Sequence, residues 1–314
     1  MRSKTIINAV KMREARQKGK FSVPVIVDKD KSSNYERHSW IIKIVRIPII
    51  FILNMLPSSW GKIVFTAFCN HRSDSSRVRR WATTFRALEI IYTFPLRRAK
   101  GETSLMDTFW ELFLSNARSV RNRLKLVEHE LITIVEEARR RKAQVNLMSL
   151  GSGSSRAVIE VLAQLNGLFS VRAKSIDISR GAINFSRELA ATYNVNQMEW
   201  HRDYAQNLEK YCDDFQPDII EMVGLLDYYP DKQAIDLLGK IYKVLSPGGW
   251  LITSNIRSNF ERPFVTKAIN WPMIYRSPEE LASILIEAGF RAEHLKIIYE
   301  PLKIHGIIIA QKLV

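Results

Sequence analysis

From residue 145 onward, short apolar runs of the kind that make buried strands alternate with stretches whose apolar residues recur at helical spacing. Val145–Leu150 reads as a first strand, Val171–Asp177 as a second, and a short third precedes Asp203. Asp218–Leu225 reads as a fourth, and Leu245-Ser246-Pro247-Gly248-Gly249-Trp250 turns into a fifth. Helical spacing fills the gaps at Ala157–Leu165, Gly181–Tyr193 and Lys232–Leu245. This alternation predicts an α/β fold with a mostly parallel, doubly wound sheet. A helix over Pro278–Ala288 and strands near Leu295–Tyr299 and Ile304–Gln311 close the pattern, the last strand antiparallel.

Before residue 145 the pattern is different. Residues 1–34 are basic, hold few large apolar side chains outside Val23–Val27, and are expected to be mobile. Residues 35–144 read as a helical, basic cap in front of the α/β domain at 145–314. Trp40–Leu56 is rich in Ile and aromatic residues but carries Lys43, Arg46 and Pro48, which suits a transmembrane helix poorly. Two readings stand: a helix lying on a membrane surface, or an apolar helix packed on its own domain with a kink at Pro48. A long helical region is expected from Asp107 to about Lys142, directly before the first strand. Asn116, Arg118 and Arg121 on it either face a pocket, where they would hold a carboxylate or phosphate, or stand in solvent.

Charge follows the same division. The chain has 314 residues and a net charge of +15. Residues 1–144 hold 29 Lys and Arg against 13 Asp and Glu, whereas residues 145–314 hold 18 against 19. A basic partner surface therefore belongs to the first half. The runs Arg72–Arg80 and Arg97–Lys100 suit phosphates of RNA or lipid, or a solvated face. The two cysteines, Cys69 and Cys212, have no metal-ligand spacing, so neither a disulfide framework nor a metal site is expected. Met1–Lys20 lacks the apolar core of a cleavable signal peptide, which suits a cytoplasmic protein, with a peripheral membrane position as a further option.

The candidate chemistry begins at Ser149-Leu150-Gly151-Ser152-Gly153-Ser154-Ser155, between the first strand and its helix. Glycines there let the backbone take positive φ and let a ligand approach the N–H groups of the helix start. Asp177, 24 residues beyond Gly153, ends the second strand where a cofactor ribose presents two hydroxyls. Ser149, Gly151, Ser152, Gly153, Asp177, Ile178, Asp203, Tyr204, Val223 and Gly224 form the expected cofactor-binding set.

This ordered set resembles the class I S-adenosylmethionine-dependent methyltransferases over residues 145–314, and the Leu-Ser-Pro-Gly-Gly-Trp-Leu turn is similar to the family's turn into its fifth strand. Two positions depart from the pattern. Ser149 stands where the family has Asp or Glu, and Ser155 where a third glycine is common. The resemblance implies S-adenosyl-L-methionine as cofactor. Gly224-Leu225-Leu226-Asp227-Tyr228-Tyr229-Pro230-Asp231, Asn255 and Trp271-Pro272-Met273-Ile274-Tyr275-Arg276 further resemble bacterial methyltransferases linked to methyl esters of 3-hydroxy fatty acids used as extracellular signals. That likeness implies a small-molecule or lipid-like acceptor, methylated at a carboxylate or hydroxyl.

A carboxylate nucleophile needs a cationic clamp rather than a base, and Arg276 is the expected clamp, with Tyr228 and Tyr229 beside the substrate. Asn255 and Trp271 would line the pocket, and His201 or His305 would serve as base for a hydroxyl or amine. No Asn/Asp-Pro-Pro-aromatic signature of exocyclic-amine methylation follows the fourth strand. RNA methylation by way of the basic first half, and a cofactor-binding protein without catalysis, remain as alternatives.

Overall fold

The computed structural model describes residues 4–13, 20–30, 32–55, 57, 73–166 and 168–313. Nine strands make one sheet: β1 Lys4–Arg13, β2 Lys20–Asp28, β3 Gln144–Leu150, β4 Ser170–Ile176, β5 Met198–His201, β6 Ile219–Met222, β7 Trp250–Ile256, β8 Leu295–Tyr299 and β9 His305–Gln311. Their order across the sheet is β1-β2-β8-β9-β7-β6-β3-β4-β5. The β3, β4, β5, β6 and β7 ladders are parallel, and β9 runs antiparallel between β7 and β8. The order reverses at β3, whose neighbours are β4 and β6. Ligands bind at the carboxyl ends of strands at such a switch point.

The helices are α1 Trp40–Met55, α2 Asp74–Arg80, α3 Phe85–Ala99, α4 Leu105–Phe113, α5 Asn116–Arg139, α6 Arg156–Leu165, α7 Arg180–Thr192, α8 Asp231–Val244, α9 Arg262–Lys267 and α10 Pro278–Glu287. The strands are buried on both faces: Leu147, Leu150, Ile219, Met222, Leu251 and Ile252 have no solvent exposure. Their near-continuous apolar runs are what a sheet covered by helices on both sides requires. Leu126, Leu131 and Val135 of α5 pack with Ile159 and Leu162 of α6 on one face, and Leu237, Leu238 and Ile241 of α8 pack on the other.

One expectation needs correction. Residues 1–34 were expected to be mobile, yet the described part forms the β1–β2 hairpin, and β2 extends the sheet in parallel with β8. Val23, Val25 and Val27 alternate toward the interior and are at most 3 % exposed, so burial on one face holds this edge. Residues 1–3, 14–19 and 31 lie outside the described ones, as do Cys69, Leu56 and Arg72. The helical region expected from Asp107 is present and consists of two helices, α4 and α5. Leu114 turns extended after α4, and the Glu261 carboxylate accepts the freed N–H groups of Ser115 at 2.6 Å and Asn116 at 3.0 Å. A carboxylate from 145 residues away thus caps α5 in place of a local side chain.

Candidate active site

Between the carboxyl ends of the strands and the helices before β3 lies a cavity of about 690 Å³. One end is formed by the loop after β3. Gly151 and Gly153 hold φ +58° and +54° there, conformations that favour glycine. The Gly153 N–H donates to Asp177 Oδ2 at 2.8 Å and the Ser179 N–H to Oδ1 at 2.7 Å. The carboxylate at the end of β4 therefore fastens the glycine loop and the start of α7 while keeping lone pairs for a ligand. Burial pushes the Asp177 carboxyl up, and the two backbone donors oppose it.

Ile178, Asp203, Tyr204, Val223 and Gly224 also line the cavity, as expected of a cofactor site. Asp203 accepts from Asn207 Nδ2 at 2.6 Å, the Tyr204 N–H at 2.8 Å and the Tyr211 hydroxyl at 3.0 Å. These donors, Asn207 first, hold its carboxyl down at about 2. Ser152 stands beside the lining: its Oγ accepts from Ser175 Oγ at 2.7 Å, which stiffens the loop from behind.

Ser149 is buried and faces a carboxylate it does not itself supply. It pairs in register with Glu221 of β6, and its hydroxyl donates to Glu221 Oε2 at 2.5 Å. The Val223 N–H donates to the other oxygen at 3.1 Å. The acid missing from β3 thus stands one strand across. Burial pushes Glu221 up to about 7, against the pull of Ser149, the Val223 N–H and the Arg123 cation. Because the folded value lies above the ordinary 4.5, its contribution to stability is present at low pH and is lost as pH rises through about 7. Glu221→Gln is expected to raise Tm by a few degrees at about pH 8, with the gap narrowing toward pH 5. Thermal melts of the two proteins at both pH values check this.

The other end of the cavity is walled by Trp81, Leu88, Phe94, Trp110, Ile269 and Met273. Tyr228 and Tyr229 reach the lining, as does Trp271, whose Nε1 donates to the Tyr228 hydroxyl at 2.7 Å. Burial pushes that phenol up to about 12. Tyr229 accepts from Gln206 Nε2 at 2.8 Å.

Arg276 is not the clamp. Its guanidinium donates to Asp231 Oδ1 at 2.7 Å, the Leu226 carbonyl at 2.8 Å, Asn255 Oδ1 at 2.6 Å and the Tyr229 carbonyl at 2.6 Å. It fastens the loop after β6 from outside the cavity. Asn255 is likewise spent, donating to Asp227 Oδ1 and to the Ile274 carbonyl, each at 2.8 Å. His201 also lies outside the lining. It is on edge strand β5, with its ring 4.5 Å from that of Tyr211, which gives it no reach to a substrate. Of the basic trio on α5, Arg121 reaches the cavity but is ion-paired with Glu36 and Glu111. Arg118 donates to the Glu111 and Arg37 carbonyls, and Asn116 lines the cavity while held by Glu261.

The arginine that does line this end of the cavity with donors unfilled is Arg123 of α5, which the sequence did not single out. It is 4 % exposed, lines the cavity, and has no carboxylate within 4 Å among the described residues. Nη2 donates to the Tyr92 hydroxyl at 3.3 Å, and Nε has no partner. Gly224 makes room for it, since a Cβ there would stand 3.3 Å from Nη1. His305, at the start of β9, lines the same region with both ring nitrogens unpartnered. Burial, helped by the Arg123 cation, holds His305 well below 6.5 and therefore neutral at pH 7. Asp227 completes this end; burial pushes its carboxyl up to about 6 against the pull of Arg123 and its bonds from Ile256 N–H and Asn255.

A family model described as a methyltransferase domain matches residues 141–306. No curated protein matches the chain by sequence. Among solved structures, a possible exported protein from Bordetella parapertussis is similar over 83 % of this chain and all of its own, with 17 % identity and a TM-score of 0.60. The S-adenosylmethionine-dependent methyltransferase SibL in its apo form matches 88 % of this chain and 75 % of its own, at 15 % identity and TM-score 0.51. Magnesium protoporphyrin IX methyltransferase from Synechocystis PCC 6803, with bound SAH, matches 76 % of this chain and all of its own, at 14 % identity and TM-score 0.51. At these identities the three structures establish the fold.

Proposed function

Since the chain belongs to the methyltransferase-domain family and is an S-adenosyl-L-methionine-dependent enzyme, we propose that it methylates the carboxylate of a long apolar acid, giving a methyl ester. The residues present fit the cofactor. Gly151 and Gly153 leave room over the loop, Asp177 retains lone pairs for ribose hydroxyls, and the exposed faces of Ile178 and Tyr204 offer flat apolar surface for a base. When bound, S-adenosylmethionine supplies a methyl on a sulfonium sulfur, and in-line transfer to a carboxylate oxygen returns the S–C bond pair to sulfur and releases S-adenosylhomocysteine. No proton leaves the acceptor.

One observation carries the choice of acceptor: Arg123 is a buried cation at one end of an apolar cavity, with no carboxylate in ion-pair contact among the described residues and only the more distant Asp227 and Glu221 to balance it. An unpaired buried charge is costly, and an anionic ligand relieves that cost. Arg123 Nε and a ring N–H of neutral His305 are donors left for a carboxylate. Together they would fix its orientation, which is the main demand of an in-line displacement. Trp81, Phe94 and Trp110 would exclude water and receive the chain. A carboxylate acceptor needs no base, which leaves His305 free to act as a donor.

The basic first half argues less for RNA than its sequence does. Arg46, Arg97, Arg121 and the later Arg156 are paired internally with Glu261, Asp74, Glu36 and Glu89. The proposal is tested by titrating the intrinsic tryptophan fluorescence with dodecanoate and with dodecanol, in the presence of S-adenosylhomocysteine. The acid is expected to bind about tenfold or more tightly, the value of one charge-assisted contact. Equal affinity would contradict a carboxylate acceptor.

A further inference from the structure

Helix α1 has an apolar face that is exposed among the described residues. At 100° per residue, Trp40, Ile41, Ile44, Ile47, Phe51 and Met55 fall within an arc of about 120°. All are exposed, Trp40 by 73 %, Ile44 by 61 % and Met55 by 70 %. Ile50, on the opposite side, is the helix's buried residue, and Arg46 there is joined to Glu261. Asn54 ties the end of α1 to the Phe260 carbonyl and the Phe264 N–H. The open face is therefore fixed on the surface by polar anchors beneath it.

Helix α4 adds Leu105, Phe109 and Leu112, which share one face and are exposed, Leu105 by 91 %. The opposite face of α4 presents Trp110 and Glu111 to the cavity. A single helix separates the open apolar surface from the acceptor chamber.

Charge selects the occupant. The exposed charged side chains on α1 and α9 are cationic: Lys43, Arg262 and Lys267. The carboxylates on α4 and at the start of α9, Asp107, Glu111 and Glu261, are buried and bonded inward, to Ser104, Arg121 and Asn116 respectively, and Glu102 before α4 is the exposed one nearby among the described residues. An apolar face rimmed by three exposed cations against one outward carboxylate suits an anionic bilayer surface. A two-fold contact with a second copy would set three cations of each face against each other with one acid, Glu102, to offset them. Among the described residues no helix is long and apolar enough to cross a membrane.

We propose that α1, with the outer face of α4, docks this protein on anionic lipid bilayers, its apolar side chains in the interface and Lys43, Arg262 and Lys267 on the headgroups. The docking stands independently of the methyl acceptor. It would set the cavity wall against the phase in which an apolar acid dissolves.

Flotation of the full chain with vesicles tests the proposal, using roughly 3:1 neutral to anionic phospholipid at about 0.1 M salt and, in parallel, neutral lipid alone. Most of the protein is expected to float with the mixed vesicles. The floated fraction should fall severalfold with neutral lipid, at about 0.5 M salt, and in the double variant Ile44→Ser/Phe51→Ser, with circular dichroism confirming its fold. A second variant, Lys43→Glu/Lys267→Glu, changes exposed charges only and should lose the preference for anionic lipid. Failure to float with mixed vesicles would overturn the proposal, as would flotation unaffected by either variant. A solution mass of twice the chain that reverts to the monomer in the serine variant, with no flotation, would assign the face to a second copy.

Discussion

Arg123→Gln is expected to lower kcat/KM for a long-chain carboxylic acid by about a hundredfold or more, because truncating one partner of a buried charge pair costs roughly 2–5 kcal/mol. The same variant should bind S-adenosylhomocysteine with wild-type affinity. It should also melt within a few degrees of wild type, since the guanidinium forms no ion pair within 4 Å among the described residues and is balanced only by the more distant Asp227 and Glu221. Activity and stability thus separate in one substitution. Arg276→Gln should behave in the opposite way: it breaks five bonds, to Asp231, Asn255 and the Leu226 and Tyr229 carbonyls, and is expected to lower Tm before it touches specificity. Steady-state kinetics with the acid varied, beside thermal melts, separates the two arginines. Loss of S-adenosylhomocysteine affinity in Arg123→Gln would move this cation from the acceptor to the cofactor.

Asp177→Ala is expected to weaken S-adenosylhomocysteine binding by about tenfold to a hundredfold, since charge-assisted bonds contribute roughly 1.5–3 kcal/mol each. The carboxylate both offers lone pairs to a ribose and accepts the Gly153 and Ser179 N–H groups that shape the loop and the helix start. Asp177→Asn keeps one acceptor oxygen but turns an amide toward one of those donors, so an intermediate loss is expected. Calorimetric titration measures all three proteins. Unchanged affinity in the alanine variant would remove Asp177 from the cofactor site.

The α/β half was legible because its buried strands and amphipathic helices follow one another with glycine and proline punctuation between them. The helix and strand positions from β3 to β9 agree with that pattern within a few residues. That the glycine loop, Asp177 and Asp203 meet along one cavity was legible because each follows a strand of the parallel sheet, at the edge where its carboxyl ends gather.

What failed was whatever depends on partners distant in sequence. The break between α4 and α5 is made by Glu261, and nothing near Leu114 announces it. Arg276 looked like a clamp because the sequence does not show that Asp231, Asn255 and two carbonyls consume its donors. Arg123 was hidden for the converse reason. It is one of several arginines on α5, and only the fold shows that Arg118 and Arg121 are satisfied while Arg123 is not. The relocated acid at Glu221 depends on parallel register with Ser149, which no local pattern encodes.

The most direct test is to incubate the enzyme with methyl-labelled S-adenosylmethionine and an equimolar pair of dodecanoic acid and dodecanol, and to identify the labelled product by mass spectrometry. Label is expected in methyl dodecanoate, with none in the ether, and Arg123→Gln should abolish it. Label in the ether alone, or ester formation undiminished in Arg123→Gln, would contradict a carboxylate acceptor held by Arg123.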